Sequence, residues 1–212
     1  MSHKRLILSS RGLVTEELTN CFVQLVGRYK RIAIITTASP YKEQNKHAIA
    51  LHQQLQKLGH TPHFVDIEYQ SAATLSAFDV IILNGGNPYV LLHHLKKSGA
   101  DTIIQAHIYK GLPVMGISAG AFVLMPDLAI VDALTPELNT IGLTDKSALN
   151  AIDAIVVPHY DRFVQEGKID ATVVDQFERT SGRTVIRLGE YQCLVERDGE
   201  RRLIGLPFLN TS

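Results

Sequence analysis

The chain reads as an α/β protein, a three-layer arrangement with a mostly parallel central sheet covered by helices on both faces. Three observations predict it. Short apolar runs and helical patterns alternate over the first 125 residues or so. The apolar runs are continuous rather than alternating with polar residues, as expected of strands buried on both faces. Finally, the polar or glycine-rich stretches Ser9-Ser10-Arg11, Asn84-Gly85-Gly86-Asn87 and Gly116-Ile117-Ser118-Ala119-Gly120 each follow such a run. That order brings them to the carboxyl edge of the sheet, where ligands of open α/β sheets gather.

The elements follow in order. Residues 5–9 form a compact apolar strand. Thr15-Glu16-Glu17 supplies an N-cap with acids in the first turn, Leu18, Phe22, Leu25 and Val26 fall at helical spacing, and Gly27 closes the helix. Residues 32–35 are a second strand. Ala48, Leu51, Leu55 and Leu58 mark one face of a helix that Gly59 terminates. Residues 63–67 and 80–83 read as the third and fourth strands. Leu91, Leu92 and Leu95 outline the next helix, and 101–109 another. Leu112-Pro113-Val114-Met115 enters the Gly-x-Ser-x-Gly stretch as a buried strand, and the small residues beyond Ser118 begin a helix. Residues 126–150 show no clean period and read as irregular structure with a short strand or hairpin. Residues 154–157 are a strand that delivers Pro158-His159-Tyr160-Asp161 to the carboxyl edge, and Ile169, Val173, Val174 and Phe177 outline a helix. Residues 184–188, 192–196 and 201–204 read as a C-terminal antiparallel portion, with Asp198-Gly199 as a hairpin turn. No repeat or linker interrupts the chain, so residues 1–212 are expected to form a single domain.

Composition narrows the function. The 212 residues are 45% hydrophobic and 20% charged, with 21 basic and 21 acidic side chains intermixed. A chain of this length can bury a full core without disulfide or metal staples. The zero net charge lacks the electrostatic footprint of a nucleic-acid binder. No apolar run approaches membrane-spanning length, and Leu6-Ile7-Leu8 is too short for a signal-peptide core. Cys21 and Cys193 lie far apart and form no metal-ligand spacing, which suits a reducing compartment. The expectation is a cytoplasmic protein with neither metal nor cofactor.

Gly-x-Ser-x-Gly between a strand and a helix is the nucleophile-elbow pattern, with glycine on both sides so that no Cβ blocks the strained serine. A serine hydroxyl needs a base to take its proton. Of nine histidines, His159 alone follows a buried strand at the carboxyl edge; His47 and His52 fall on a surface-looking helix, and His93, His94 and His107 in the helical region after the glycine loop. A third group must hold the imidazole in its tautomer. Asp127, Asp132, Asp145 and Asp153 lie between Ser118 and His159, Glu190 lies after it, and spacing does not choose among them. The backbone N–H of Ala119 is the expected first oxyanion donor, and the Gly85-Gly86 loop is suited to supply a second. Neither Gly-x-Gly-x-x-Gly nor a Gly-Lys-Ser/Thr ending is present, which disfavours a nucleotide cradle.

Asn84-Gly85-Gly86-Asn87-Pro88, Gly116-Ile117-Ser118-Ala119-Gly120 and Val157-Pro158-His159-Tyr160, in this order, resemble the dipeptidase E family of serine peptidases, the aspartyl dipeptidases, to which cyanophycinases are related. The resemblance runs from the first strand to about Gly205. It implies a class I glutamine amidotransferase-like fold with serine in place of the usual elbow cysteine. It also implies a Ser118 nucleophile, a His159 base and an oxyanion donor at Gly86. The family's Leu-x-Glu segment matches Leu188-Gly189-Glu190 and favours Glu190 as the third member, with Asp127 or Asp132 as the alternative. A homodimer is compatible with such a fold. The implied substrate is a small peptide, in the family one with an N-terminal aspartate, whose carboxylate calls for cationic groups. The family's arginine-bearing stretch after the histidine is not reproduced; Arg162 lies nearby, Lys168 and Arg179 are looser candidates, and Asn87 is a candidate substrate contact.

Two rivals stand beside a peptidase. An α/β-hydrolase esterase requires a histidine near the carboxyl terminus, and none follows His159. A catalytically silent binding module would keep the fold and hold Ser118 Oγ out of reach of His159.

Overall fold

The computed structural model describes residues 3–206, so residues 1–2 and 207–212 of the expected domain lie outside the described residues. β1 (Arg5–Ser9), β2 (Arg31–Ile35), β3 (Thr61–Val65), β4 (Val80–Leu83) and β5 (Val114–Ile117) form the parallel part of one sheet. β8 (Gln192–Arg197) and β9 (Glu200–Gly205) extend it antiparallel, giving the order β3-β2-β4-β5-β1-β8-β9. Both faces of each central strand are apolar because both are covered. Leu6, Leu8, Ala33, Ile35, Ile81, Leu83 and Val114 point into one core, and Ile7, Ile32, Ile34, Val80, Ile82, Met115 and Ile117 into the other.

α1 (Glu16–Val26) and α2 (Lys46–Lys57) cover the second of these faces through Leu18, Phe22, Leu25, Leu51 and Leu55. α3 (Pro88–Ser98), α4 (Ala100–Tyr109), α5 (Ala119–Leu124), α6 (Ala129–Leu134) and α8 (Ala171–Ser181) contribute to the first. Each Val, Leu, Ile, Phe or Met side chain fully buried in these layers stabilises the fold by roughly 1.5–3 kcal/mol. The caps fall where the sequence puts them. Thr15 accepts from Leu18 N–H at the start of α1, and Gly27 adopts positive φ at its end. Among the described residues no helix is long and apolar enough to cross a membrane.

Three expectations need correction, and one element goes unannounced. The third strand spans Thr61–Val65, not residues 63–67, and includes Pro62; β3 is an edge strand, where a missing N–H is tolerated. The stretch 126–150 contains α6 and a 3-10 turn, Pro136–Leu138, and its one strand-like feature is an isolated bridge between Asp127 and Ser147. α6 has only six residues, too few for a helical period to stand out. Residues 184–188 do not join the antiparallel portion: β7 (Val185–Arg187) pairs parallel with β6 (Ile155–Val157) in a separate two-stranded sheet. Lastly, His159 is followed by a short helix, α7 (Tyr160–Gln165), that the apolar pattern does not announce.

Candidate functional site

The site is built at the carboxyl end of β5, in the middle of the sheet. Ser118 links β5 to α5 with φ 52° and ψ −108°, a conformation that non-glycine residues rarely adopt. Its flanking glycines are sterically required. A Cβ on Gly116 would lie 2.4 Å from the carbonyl oxygen of Gly120, and one on Gly120 would lie 2.0 Å from that of Leu83. The elbow thus folds helix back on strand so tightly that only hydrogen fits. Ser118 N–H donates to Ser9 O at 2.8 Å, fastening the turn to the end of β1.

The glycine loop after β4 lies against the elbow: a Cβ on Gly85 would be 3.4 Å from Ser118 Cβ and 4.0 Å from its Oγ. Gly86 has φ 148°, and a Cβ there would lie 2.2 Å from Ala38 O, so the position admits only glycine. Among the described residues no backbone carbonyl accepts from Gly86 N–H. The Ala119 N–H opens α5, where a helix leaves its first amides without intrahelical partners. Asn87, expected to contact substrate, is otherwise engaged. Its Oδ1 accepts from Tyr89 and Val90 N–H as the N-cap of α3, and its Nδ2 donates to Leu138 O at 2.7 Å.

His159 approaches from β6. It has φ 60° and is 7% exposed, its N–H donates to Ser10 Oγ at 3.0 Å, and its ring packs against Phe163 with centroids 5.1 Å apart. Its Nδ1 lies 2.5 Å from Glu190 Oε2. A carboxylate at Nδ1 places the imidazole proton there and leaves Nε2 as an acceptor. Burial lowers the His159 pKa below its ordinary value, against the opposing pull of Glu190, so the ring is neutral at neutral pH.

Glu190 sits in the loop between β7 and β8, and that loop is latched to the His159 turn. Leu188 O accepts from Tyr160 N–H at 3.1 Å, and the Asp161 carboxylate accepts from Glu190 N–H at 2.9 and 3.0 Å. The second carboxylate oxygen, Oε1, takes Arg162 Nη1 at 2.9 Å and Arg11 Nε at 3.3 Å. Two guanidinium groups therefore lie against one oxygen of the buried carboxylate while His159 takes the other.

The structure thus unites His159 with Glu190 and places the glycine loop beside Ser118. The alternative acids are used elsewhere. Asp127 pairs with Arg183 and caps Ala129 N–H, while Asp132 accepts from Tyr89 OH and pairs with Lys146. Asp145 pairs with Lys96. Arg162 reaches the site through Glu190, whereas Lys168 pairs with Glu166 and Arg179 is exposed on α8. Ser118 Oγ makes no hydrogen bond among the described residues, to His159 or to any other group. Such contacts often tighten only when substrate binds. No motif marks Ser10, Arg11 or Asp161; their one signal in the sequence is the polar Ser9-Ser10-Arg11 stretch at a strand's carboxyl end.

A strand–turn–helix elbow at the carboxyl edge of a parallel sheet is the architecture of hydrolases with an elbow-borne nucleophile. Residues 6–204 match peptidase family S51, and the chain belongs to that family and is a peptidase. It is 31% identical over 175 residues to an uncharacterized peptidase of Listeria innocua, covering 81% of this chain and 82% of that one. It is 30% identical over 166 residues to an uncharacterized peptidase of Pasteurella multocida, covering 76% and 79%. Peptidase E of a Nostoc species is 23% identical over 97% of this chain and 87% of its own. Among solved structures, a Listeria monocytogenes protein described as a peptidase E superposes with a TM-score of 0.76 at 25% identity, covering 96% and 99% of the two chains.

Proposed function

We propose that the protein is a serine peptidase of small peptides, with Ser118 as nucleophile, His159 as general base and Glu190 as the acid that orients it. The observation that carries the reading is the 2.5 Å contact between His159 Nδ1 and Glu190 Oε2, made by the histidine and acid that the family resemblance selects. His159 Nε2 takes the Ser118 proton as Oγ attacks the peptide carbonyl, and later gives it to the leaving amine. The amides of Gly86 and Ala119 receive the negative charge that develops on the carbonyl oxygen. Water then releases the acyl group by the same steps in reverse. No step calls for a metal or cofactor.

The finer substrate is a dipeptide with an N-terminal aspartate. Relatives named peptidase E support this assignment, and so does the positive charge of Arg11 and Arg162 beside the base. A panel of Asp-X, Ala-X and isoaspartyl dipeptides, assayed with wild type and Ser118→Ala, tests both levels. Ser118→Ala is expected to lose about 10⁴-fold or more in kcat/KM. Wild-type activity on Ala-X equal to that on Asp-X would remove the aspartyl specificity and leave the peptidase.

The unbonded Ser118 hydroxyl favours a second reading, a silent binding module. A fluorophosphonate probe separates the two, because it labels only an activated serine. Labelling of wild type but not of Ser118→Ala supports the peptidase, and no labelling of either supports the silent module.

A further inference from the structure

We infer that Ser10 is a positioning residue of this site: its buried hydroxyl fixes the turn that carries His159 and the loop that carries Glu190 to the same strand end that holds Ser118. The inference rests on the roles proposed above for Ser118, His159 and Glu190.

Ser10 follows β1 directly and is 1% exposed. A hydroxyl can donate once and accept, and Ser10 Oγ does both. It accepts from His159 N–H at 3.0 Å and donates to Gly189 O at 2.9 Å, with Leu188 O at 3.3 Å. One atom therefore ties together the residues on either side of the His159–Glu190 contact. The preceding residue completes the link, because Ser9 O accepts from Ser118 N–H. Nucleophile and base come from different sheets, β5 in the large one and β6 in the small one, yet their backbones hang on Ser9, the last residue of β1, and on Ser10 next to it. Consecutive Cα atoms are fixed about 3.8 Å apart by the planar peptide, so the anchor points of the two halves lie one residue apart on the chain.

The bond matters more because His159 has positive φ. A non-glycine residue stays in that region only while its surroundings hold it there. Without the Ser10 hydroxyl, a buried N–H at a strained residue loses its acceptor and Gly189 O loses a donor. The turn then gains by relaxing, and relaxation swings the imidazole relative to both Glu190 and Ser118. Ser10 Oγ touches no reacting atom itself, so its effect is on geometry. A misplacement of about 1 Å costs on the order of 10²-fold in rate.

The test uses the full chain with Ser10→Ala, Ser10→Thr and Ser10→Cys, read out four ways: steady-state kinetics on the dipeptide that wild type cleaves, the rate of fluorophosphonate labelling at Ser118, thermal midpoint, and the low-field proton resonance of His159 Nδ1–H. Ser10→Ala is expected to lower kcat about 10–100-fold with KM within about two-fold, slow labelling to match, and broaden or shift the resonance. Ser10→Thr, which keeps the hydroxyl, is expected to restore kcat and the resonance. If Ser10→Ala does not fold, Ser10→Cys carries the comparison, since a thiol has the shape but only weak hydrogen-bonding capacity. A purely structural serine would lower the midpoint while leaving kcat and the resonance of the folded protein at wild-type values, and that result overturns the inference. The resonance keeps the two levels apart. If Ser118 is never labelled but the His159 signal still depends on the Ser10 hydroxyl, the peptidase mechanism falls and the positioning role stands. If labelling is as fast in Ser10→Ala as in wild type, the positioning role falls and the mechanism stands.

Discussion

The two halves of the site are held by different forces. The Ser118 half is sterically imposed: strand, turn and helix approach so closely that the turn has one available shape, set by Gly116 and Gly120. The His159 half is polar. A histidine of positive φ is kept in place by Ser10, Glu190 and the latched loop around Leu188, with Arg11 and Arg162 behind the carboxylate. A steric constraint fails by unfolding, because backbone atoms have nowhere to go. A polar constraint fails by drift, because each lost hydrogen bond leaves an alternative geometry of similar energy. Damage to the first half should therefore appear as lost stability, and damage to the second as lost activity in a folded protein.

Among changes to the groups that hold the site, rather than to the nucleophile itself, the largest expected effect is in the polar half. Glu190→Gln keeps the shape but removes the charge that holds the His159 tautomer and offsets Arg11 and Arg162. Its kcat/KM should fall about 10³-fold, roughly 4 kcal/mol of transition-state stabilisation, with the protein still folded. The pH profile sharpens the point. Burial lowers the His159 pKa while Glu190 raises it. The acid limb of wild-type kcat/KM should accordingly lie below the usual histidine value of about 6.5, and in Glu190→Gln it should move to still lower pH as the residual rate falls. A limb that moves to higher pH would show that Glu190 does not act on His159.

Gly120→Ala probes the steric half. Its new methyl would sit 2.0 Å from Leu83 O, a backbone atom that cannot step aside without breaking β4. Destabilisation of roughly 3 kcal/mol or more is expected, measured by urea denaturation. A folded Gly120→Ala of wild-type stability with impaired turnover would erase the contrast between the halves.

A buried histidine outside the site supplies the next test. His107 on α4 is 5% exposed, and burial takes its pKa down to about 4. Below about 6.5 the unfolded chain binds a proton that the folded chain refuses, so stability is full above that pH and declines as pH falls toward 4. The loss amounts to at most about 3 kcal/mol, read from urea midpoints between pH 7 and 4.5. His107→Gln should flatten this slope. Activity lost in the same range through unfolding is then separable from protonation of His159, because His107→Gln removes part of the first and leaves the second.

The same division explains what was legible in the sequence. Steric and apolar constraints leave local marks: the glycines around Ser118, the continuous runs of β1, β2, β4 and β5, and the Thr15 cap all announce themselves. Polar constraints link residues far apart, such as Ser10 to His159 and Gly189, or Asp161 to Glu190, and no spacing reports them. For the same reason spacing does not separate Asp127, Asp132 and Glu190, and only the resemblance through Leu188-Gly189-Glu190 favours the last. Pairing of short strands is also nonlocal. β7 has three residues and carries no mark of its parallel partner β6, so the sequence reads it with the antiparallel strands that follow it.

Asn87 lies where the two regimes meet, and it gives the smallest predicted effect. Its side chain caps α3 and ties the glycine loop to Leu138, which accounts for its polar groups without a substrate. Asn87→Ala should cost about 1 kcal/mol, the usual value of an N-cap, with KM and kcat nearly unchanged at temperatures where the protein is folded. Asn87→Asp should recover the cap, since its carboxylate accepts from Tyr89 and Val90 N–H and suits the helix N-terminus, while losing the donor to Leu138 O. If stability returns in Asn87→Asp and KM stays at the wild-type value in both variants, the residue serves the scaffold beside Gly86. If KM rises in both while stability recovers in Asn87→Asp, the amide also reads substrate, and the glycine loop belongs to the polar regime as well as the steric one.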